Sequence, residues 1–170
     1  MSYIVQGMTL IPQTKTMSCW YASAQMLINW KMEQRQQSMS GLIPPELDAE
    51  CAKIRDNNSG IANPAIVKMA KRLGLAAIPP MTPTTDTLEG WLKQYGPLWV
   101  NGKTHIVVIA GISYTPTLGH QLLVYDPSPV NVGKIEWRSL TGWYLLGSSA
   151  STRDTSASVE TVFLYVPDTF

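Results

Sequence analysis

Gln13 and Cys19 stand six residues apart, and Trp20 follows the cysteine at the head of an apolar stretch. A cysteine in the first turn of a helix meets unpaired N–H groups and the positive end of the helix dipole, both of which favour the nucleophilic thiolate. A glutamine six residues upstream can loop back, so that its amide and the cysteine's own N–H point at the oxygen of an attacked carbonyl. The pairing predicts acyl-transfer chemistry.

A thiolate nucleophile needs an imidazole to take and return protons, and the chain has only two histidines, His105 and His120. His105 opens His105-Ile106-Val107-Val108-Ile109, whose bulk predicts a core strand that would hold the ring rigidly at its edge. His120 follows Gly119 in a predicted hairpin turn, where a solvated or structural histidine is the plainer reading. The imidazole needs an acceptor on its other nitrogen, and Asp126 closes the next apolar run, Leu122 to Tyr125. In an antiparallel pair the start of one strand faces the end of the next, which could bring Asp126 beside His105.

Each residue also has a bland reading: Cys19 as an inert buried thiol, His105 as a satisfied core histidine, Asp126 as the cap of an Asp-Pro-Ser turn, Gln13 as a loop glutamine. Cys51 reads as core packing. A zinc site built from Cys19, Cys51, His105 and Asp126 lacks any short-spaced ligand pair. The six tryptophans read as core and cleft wall, not as stackers for a cofactor.

Positioning these groups requires a particular order of elements. Ser18 is an N-cap for a buried helix from Cys19 to about Trp30, apolar around nearly all its circumference. A second helix is predicted from Glu46 to about Arg55, containing Cys51, and Asp56 to Gly60 breaks it as a loop. Asn63-Pro64 and Gly74 bracket a third helix. Leu75 to Ile78 forms a short strand stopped by Pro79-Pro80, and a fourth helix runs from Thr85-Asp86 to Gly96. After Pro97 the pattern turns to strands: Leu98–Asn101, Thr104–Ile112, Gln121–Asp126, Lys134–Arg138 and Val159–Val166. Asn101-Gly102 and Pro116 to Gly119 supply turns, and Gly147 to Ser158 is a polar loop. Helices first and strands afterwards predict an α+β fold of two lobes meeting at a cleft.

The 170 residues fit a single domain over 1–170, 45% hydrophobic and 15% charged. A net charge of +1 leaves no electrostatic footprint for nucleic acid. Two cysteines are too few for a disulfide framework, so the expected setting is a reducing cytoplasm. No basic region precedes an apolar run at the N-terminus, and no stretch approaches the roughly 18 apolar residues of a membrane span. The expectation is a soluble chain without signal peptide or membrane contact, which leaves open export without a cleaved signal or excision from a longer protein.

Gln13, Cys19-Trp20, Gly96-Pro97-Leu98-Trp99-Val100, His105-Ile106-Val107-Val108 and Asp126-Pro127 together resemble the papain-like cysteine peptidases. The closest likeness is to their compact bacterial effector and toxin branch, with a related pattern in the peptidases that trim bacteriocin leaders. The resemblance implies Cys19 as nucleophile, His105 as general acid/base, Asp126 as the orienting residue and Gln13 as an oxyanion donor, with no metal or organic cofactor. Many papain relatives carry asparagine where Asp126 stands. It further implies a protein substrate, an inhibitory immunity protein as partner and delivery by a specialised secretion system. A deamidase, transglutaminase-like enzyme or amidase would use the same chemistry, and an inactive binding module would keep only the fold.

Overall fold

The computed structural model describes residues 2–35, 41–61, 63–78, 83–101, 105–140 and 162–167. The expected loop over 147–158, the Pro79-Pro80 stop, Gly102, Thr104, Trp143 and the start of the last expected strand lie outside them.

The helix that opens at Cys19 continues to its end in α1, Cys19–Arg35, more than a turn past Trp30, because Lys31 to Gln34 are helix formers without a breaker. Trp20, Ala24, Leu27 and Ile28 are buried, as are Tyr21, Ser23 and Met26 around the barrel of the helix. Ser18 starts the helix through its carbonyl, which accepts from Tyr21 and Ala22 N–H. Its hydroxyl turns the other way, to the backbone of Lys15.

The second expected helix is divided. A 3-10 turn, Pro45–Leu47, precedes α2, Ala49–Asp56. Asp48 adopts an extended conformation between them and caps α2, its carboxylate accepting from Cys51 N–H at 3.0 Å. A half-buried capping aspartate thus outcompetes helix continuation. Helix α3 spans Asn63–Leu73 and ends as the glycine signal predicts: Gly74 has φ +83°, and Leu75 N–H reaches back to the Ala70 carbonyl. Helix α4 covers Thr85–Tyr95, capped one residue earlier than expected by Thr84.

The strands are β1 (Ser2–Ile4), β2 (Ala76–Ile78), β3 (Leu98–Asn101), β4 (Ile106–Thr115), β5 (Gly119–Asp126), β6 (Lys134–Ser139) and β7 (Phe163–Tyr165). Every pairing among them is antiparallel, in the order β2-β7-β3-β4-β5-β6, with β1 alongside the far end of β4. β1 has no counterpart among the strands expected from the sequence. The hairpin between β4 and β5 is tighter than expected because Gly119, at φ +69°, lets the strand resume at once. His120 therefore sits in β5 opposite Tyr114, their rings 4.7 Å apart, and not in the turn.

Both faces of the sheet are covered, which explains the unbroken apolar runs of β3 and β4. Trp99, Ile106 and Val108 face α1 to α3, whereas Leu98, Val100, Val107 and Ile109 face α4. Fully buried Leu27, Ile66, Leu73 and Leu92 each contribute roughly 1.5–3 kcal/mol through removal from water. The tryptophans divide: Trp20 and Trp99 are buried, Trp30 and Trp91 half-buried, and Trp137 departs from expectation by standing exposed on β6. The architecture is α+β, an open antiparallel sheet packed on a helical layer in the papain-like two-lobe manner.

Candidate active site

The side chains of interest meet where α1 begins against the sheet. Trp99 Nε1–H donates to the Trp20 carbonyl at 3.1 Å, and Ser23 Oγ–H donates to the Ile106 carbonyl at 3.4 Å. These bonds fix the first turns of α1 against β3 and the start of β4. Cys19, at the helix N-terminus, and His105, immediately before β4, are thereby brought close enough for the thiol to act on the charge of the imidazole.

The antiparallel β4–β5 register, Val108 opposite Tyr125, carries the end of β5 to the same place. His105 Nε2 lies 2.6 Å from Asp126 Oδ1. Burial opposes charge on the imidazole, but the hydrogen bonds to Asp126 and then Cys19 outweigh it and raise His105 to about 9. Burial likewise opposes the Asp126 carboxylate, yet bonds from His105 and Arg138 hold it down at about 2. Asp126 is thus a buried anion with its charge compensated.

The turn-capping reading of Asp126 holds alongside this contact, since Oδ1 also accepts from Ser128 N–H at 2.9 Å. Its second oxygen accepts from Arg138 Nη2 at 2.6 Å, and Arg138 Nε donates to Glu136 at 2.6 Å. Sequence reasoning missed Arg138. The only signal for it was the alternation of β6, which puts Lys134, Glu136 and Arg138 on one face.

Gln13 is buried in the segment leading into α1. Its N–H donates to Pro127 and its carbonyl accepts from Asn131, so the backbone of Gln13 is stitched to the turn that follows Asp126. The side-chain amide nitrogen donates to the carbonyls of Lys15 and Thr16 at 2.8 and 3.0 Å. The amide oxygen is buried without a partner among the described residues. Nearby, Asn58 accepts from Met17 N–H and donates to Thr16, while Ser59 accepts from Trp20 Nε1–H. The loop after α2 therefore braces the approach to Cys19.

The other two expected candidates fall elsewhere. His120 pairs with Tyr114 at the far end of the β4–β5 hairpin. Cys51 is fully buried in α2, and burial with the Asp48 hydrogen bond pushes its thiol up to about 12. Among the described residues no three His, Cys, Asp or Glu side chains gather as a metal site, and no helix is long and apolar enough to cross a membrane.

A cysteine at a helix N-terminus near a histidine that is held by a carboxylate, beside an open antiparallel sheet, accords with the class of papain-like thiol hydrolases. The chain belongs to the papain-like cysteine protease AvrRpt2 family, whose model matches residues 3–139. No curated protein matches. Among solved structures, it is similar to UfSP from C. elegans, with a TM-score of 0.59 at 14% identity over 98% of this chain. It is also similar to a structure from work on the mite allergens Blo t 1 and Der p 1, with a TM-score of 0.54 at 13% identity over 93% of this chain. It spans 34% and 66% of the lengths of those two chains. At such identities the likeness concerns the fold.

Proposed function

We propose that the chain is an endopeptidase that cleaves a protein substrate through Cys19, His105 and Asp126. The observation that supports this reading most is the 2.6 Å bond from His105 to Asp126 close to a thiol that opens α1 and acts on the imidazole's charge. The Cys19 thiolate attacks the peptide carbonyl, forming a carbon–sulfur bond and moving the π electrons onto oxygen. The Cys19 N–H and the Gln13 amide receive that oxyanion. His105 gives its proton to the leaving amine as the carbon–nitrogen bond breaks. Water, deprotonated by His105, then hydrolyses the thioester and restores the thiolate.

Gln13 enters this scheme with a condition. Its amide protons face the Lys15 and Thr16 carbonyls, so donation to substrate exchanges one of those bonds or shares a proton between them. Family membership supports a bacterial effector or toxin acting in a target cell, with an immunity protein as its inhibitor where the targets are rival bacteria. Proteomics of a target-cell lysate treated with the native chain or with Cys19→Ala tests the reaction. New protein N-termini that require Cys19 support peptide-bond cleavage. Intact targets heavier by about one dalton would indicate a deamidase instead, because the same thiolate would then displace ammonia from a side-chain amide.

A further inference from the structure

Arg138 makes a fork between two carboxylates. Nη2 is 2.6 Å from Asp126 Oδ2, and Nε is 2.6 Å from Glu136 Oε1. The arginine side chain is 16% exposed and the aspartate 4%, whereas Glu136 is 42% exposed. The interaction with Asp126 is therefore shielded from solvent and the one with Glu136 lies at the rim. The β5–β6 register generates the arrangement, because Leu122 pairs with Arg138 and Asp126 with Lys134, so the long arginine reaches along the same sheet face to the strand end.

We propose that Arg138 is a positioning residue for the hydrolase, holding the Asp126 carboxylate in place for His105 and taking up part of its charge. The inference rests on the Cys19–His105–Asp126 reading. An aspartate at this position differs from an asparagine in bringing a full negative charge. A lone carboxylate buried to this degree is costly, and it swings toward whatever donor is nearest. Arg138 occupies Oδ2, Ser128 N–H and His105 share Oδ1, and the carboxylate has no free lobe to turn. With its charge shared, Asp126 serves His105 as a fixed acceptor as much as a counter-charge.

Among the described residues, the titratable groups bearing on His105 are Cys19 from α1 and Asp126 from β5, with Lys134, Glu136 and Arg138 of β6 acting through Asp126. Removing the arginine's charge while keeping an amide donor leaves the carboxylate unshared, and its full charge then favours imidazolium. Histidine NMR titration of Arg138→Gln should place His105 higher than native by about one pH unit, an order-of-magnitude Coulomb expectation at this range. Arg138→Lys should stay close to native. In an Asp126→Asn background, Arg138→Gln should lose its upward effect.

An unchanged or lowered His105 titration in Arg138→Gln overturns the proposal, and a loss of melting temperature with no shift would mark a structural strut. Should Arg138→Gln not fold, Glu136→Gln at the exposed rim provides the second reading. It removes the carboxylate that competes with Asp126 for the arginine and should move His105 downward, and no movement again overturns the proposal. The titration requires no turnover, so it reports on Arg138 even if the peptidase assignment itself fails in the lysate experiment.

Discussion

Asp126 carries three bonds on two oxygens, and the consequence appears at His105, raised to about 9 against burial. Imidazolium is the form that protonates the leaving amine, so activity should decline as pH rises through about 9. Asp126→Asn keeps an acceptor but removes the charge, and the alkaline limb of kcat/KM should fall by about one unit or more. A limb that stays at about 9 would contradict the role given to the carboxylate. Asp126→Ala removes the acceptor as well and should cost about 10²- to 10⁴-fold, the range of general acid–base catalysis. Gln13→Ala should lower kcat by about 10²- to 10³-fold, the effect of losing one oxyanion donor. A loss below about threefold would mean that Gln13 remains committed to Lys15 and Thr16 during turnover and that its function is to shape the loop. The placing of Cys19 at the head of α1 and of His105 beside Asp126 is legible because each position asks for one residue type at one strand or helix end. Arg138 was not, because its contact depends on the β5–β6 register and no local pattern encodes that.

At the scale of elements, α3 and the β3–β4 pair follow from short-range signals, a proline at the first turn, a closing glycine, and apolar runs wanted by both faces of the sheet. The departures occurred where two local preferences competed. Asp48 caps α2 instead of lying inside a longer helix, and Gly119 closes a hairpin so that His120 joins β5. β1 was invisible because three residues carry no period, and its partner is β4, more than a hundred residues away. Gly74 shows how an end signal becomes a packing constraint. At φ +83° an added Cβ is strained, and it would also collide with the Gly41 carbonyl oxygen. Gly74→Ala should destabilise the fold by more than about 1 kcal/mol in urea unfolding, with the activity of the folded fraction unchanged. A neutral substitution would mean that the α3 end relaxes without cost.

For the whole molecule, the layer of α1 to α3 and the open sheet meet along a seam, and the site spans it, with Cys19 from one side and His105 and Asp126 from the other. The pair on the sheet side also ties stability to pH. His105 is raised from 6.5 to about 9, so its contribution is complete below about 6.5 and lost as pH rises through about 9. Asp126 is lowered from 3.8 to about 2, so its contribution is present above about 3.8 and lost as pH falls through about 2. Urea unfolding across pH should show this alkaline loss in the native chain and a flatter profile between pH 6.5 and 9 in His105→Ala; equal slopes would count against the coupling. Under the proposed mechanism Cys19 is an activated nucleophile poised by His105. Intact-mass labelling with the thiol-reactive peptide-like electrophile E-64 at neutral pH tests it most directly, with Cys19→Ala, His105→Ala and Cys51→Ala beside the native chain. One adduct is expected on the native chain and on Cys51→Ala, none on Cys19→Ala, and slowed labelling on His105→Ala. Labelling that survives Cys19→Ala and disappears in Cys51→Ala, or folded native protein that takes no adduct, would contradict it.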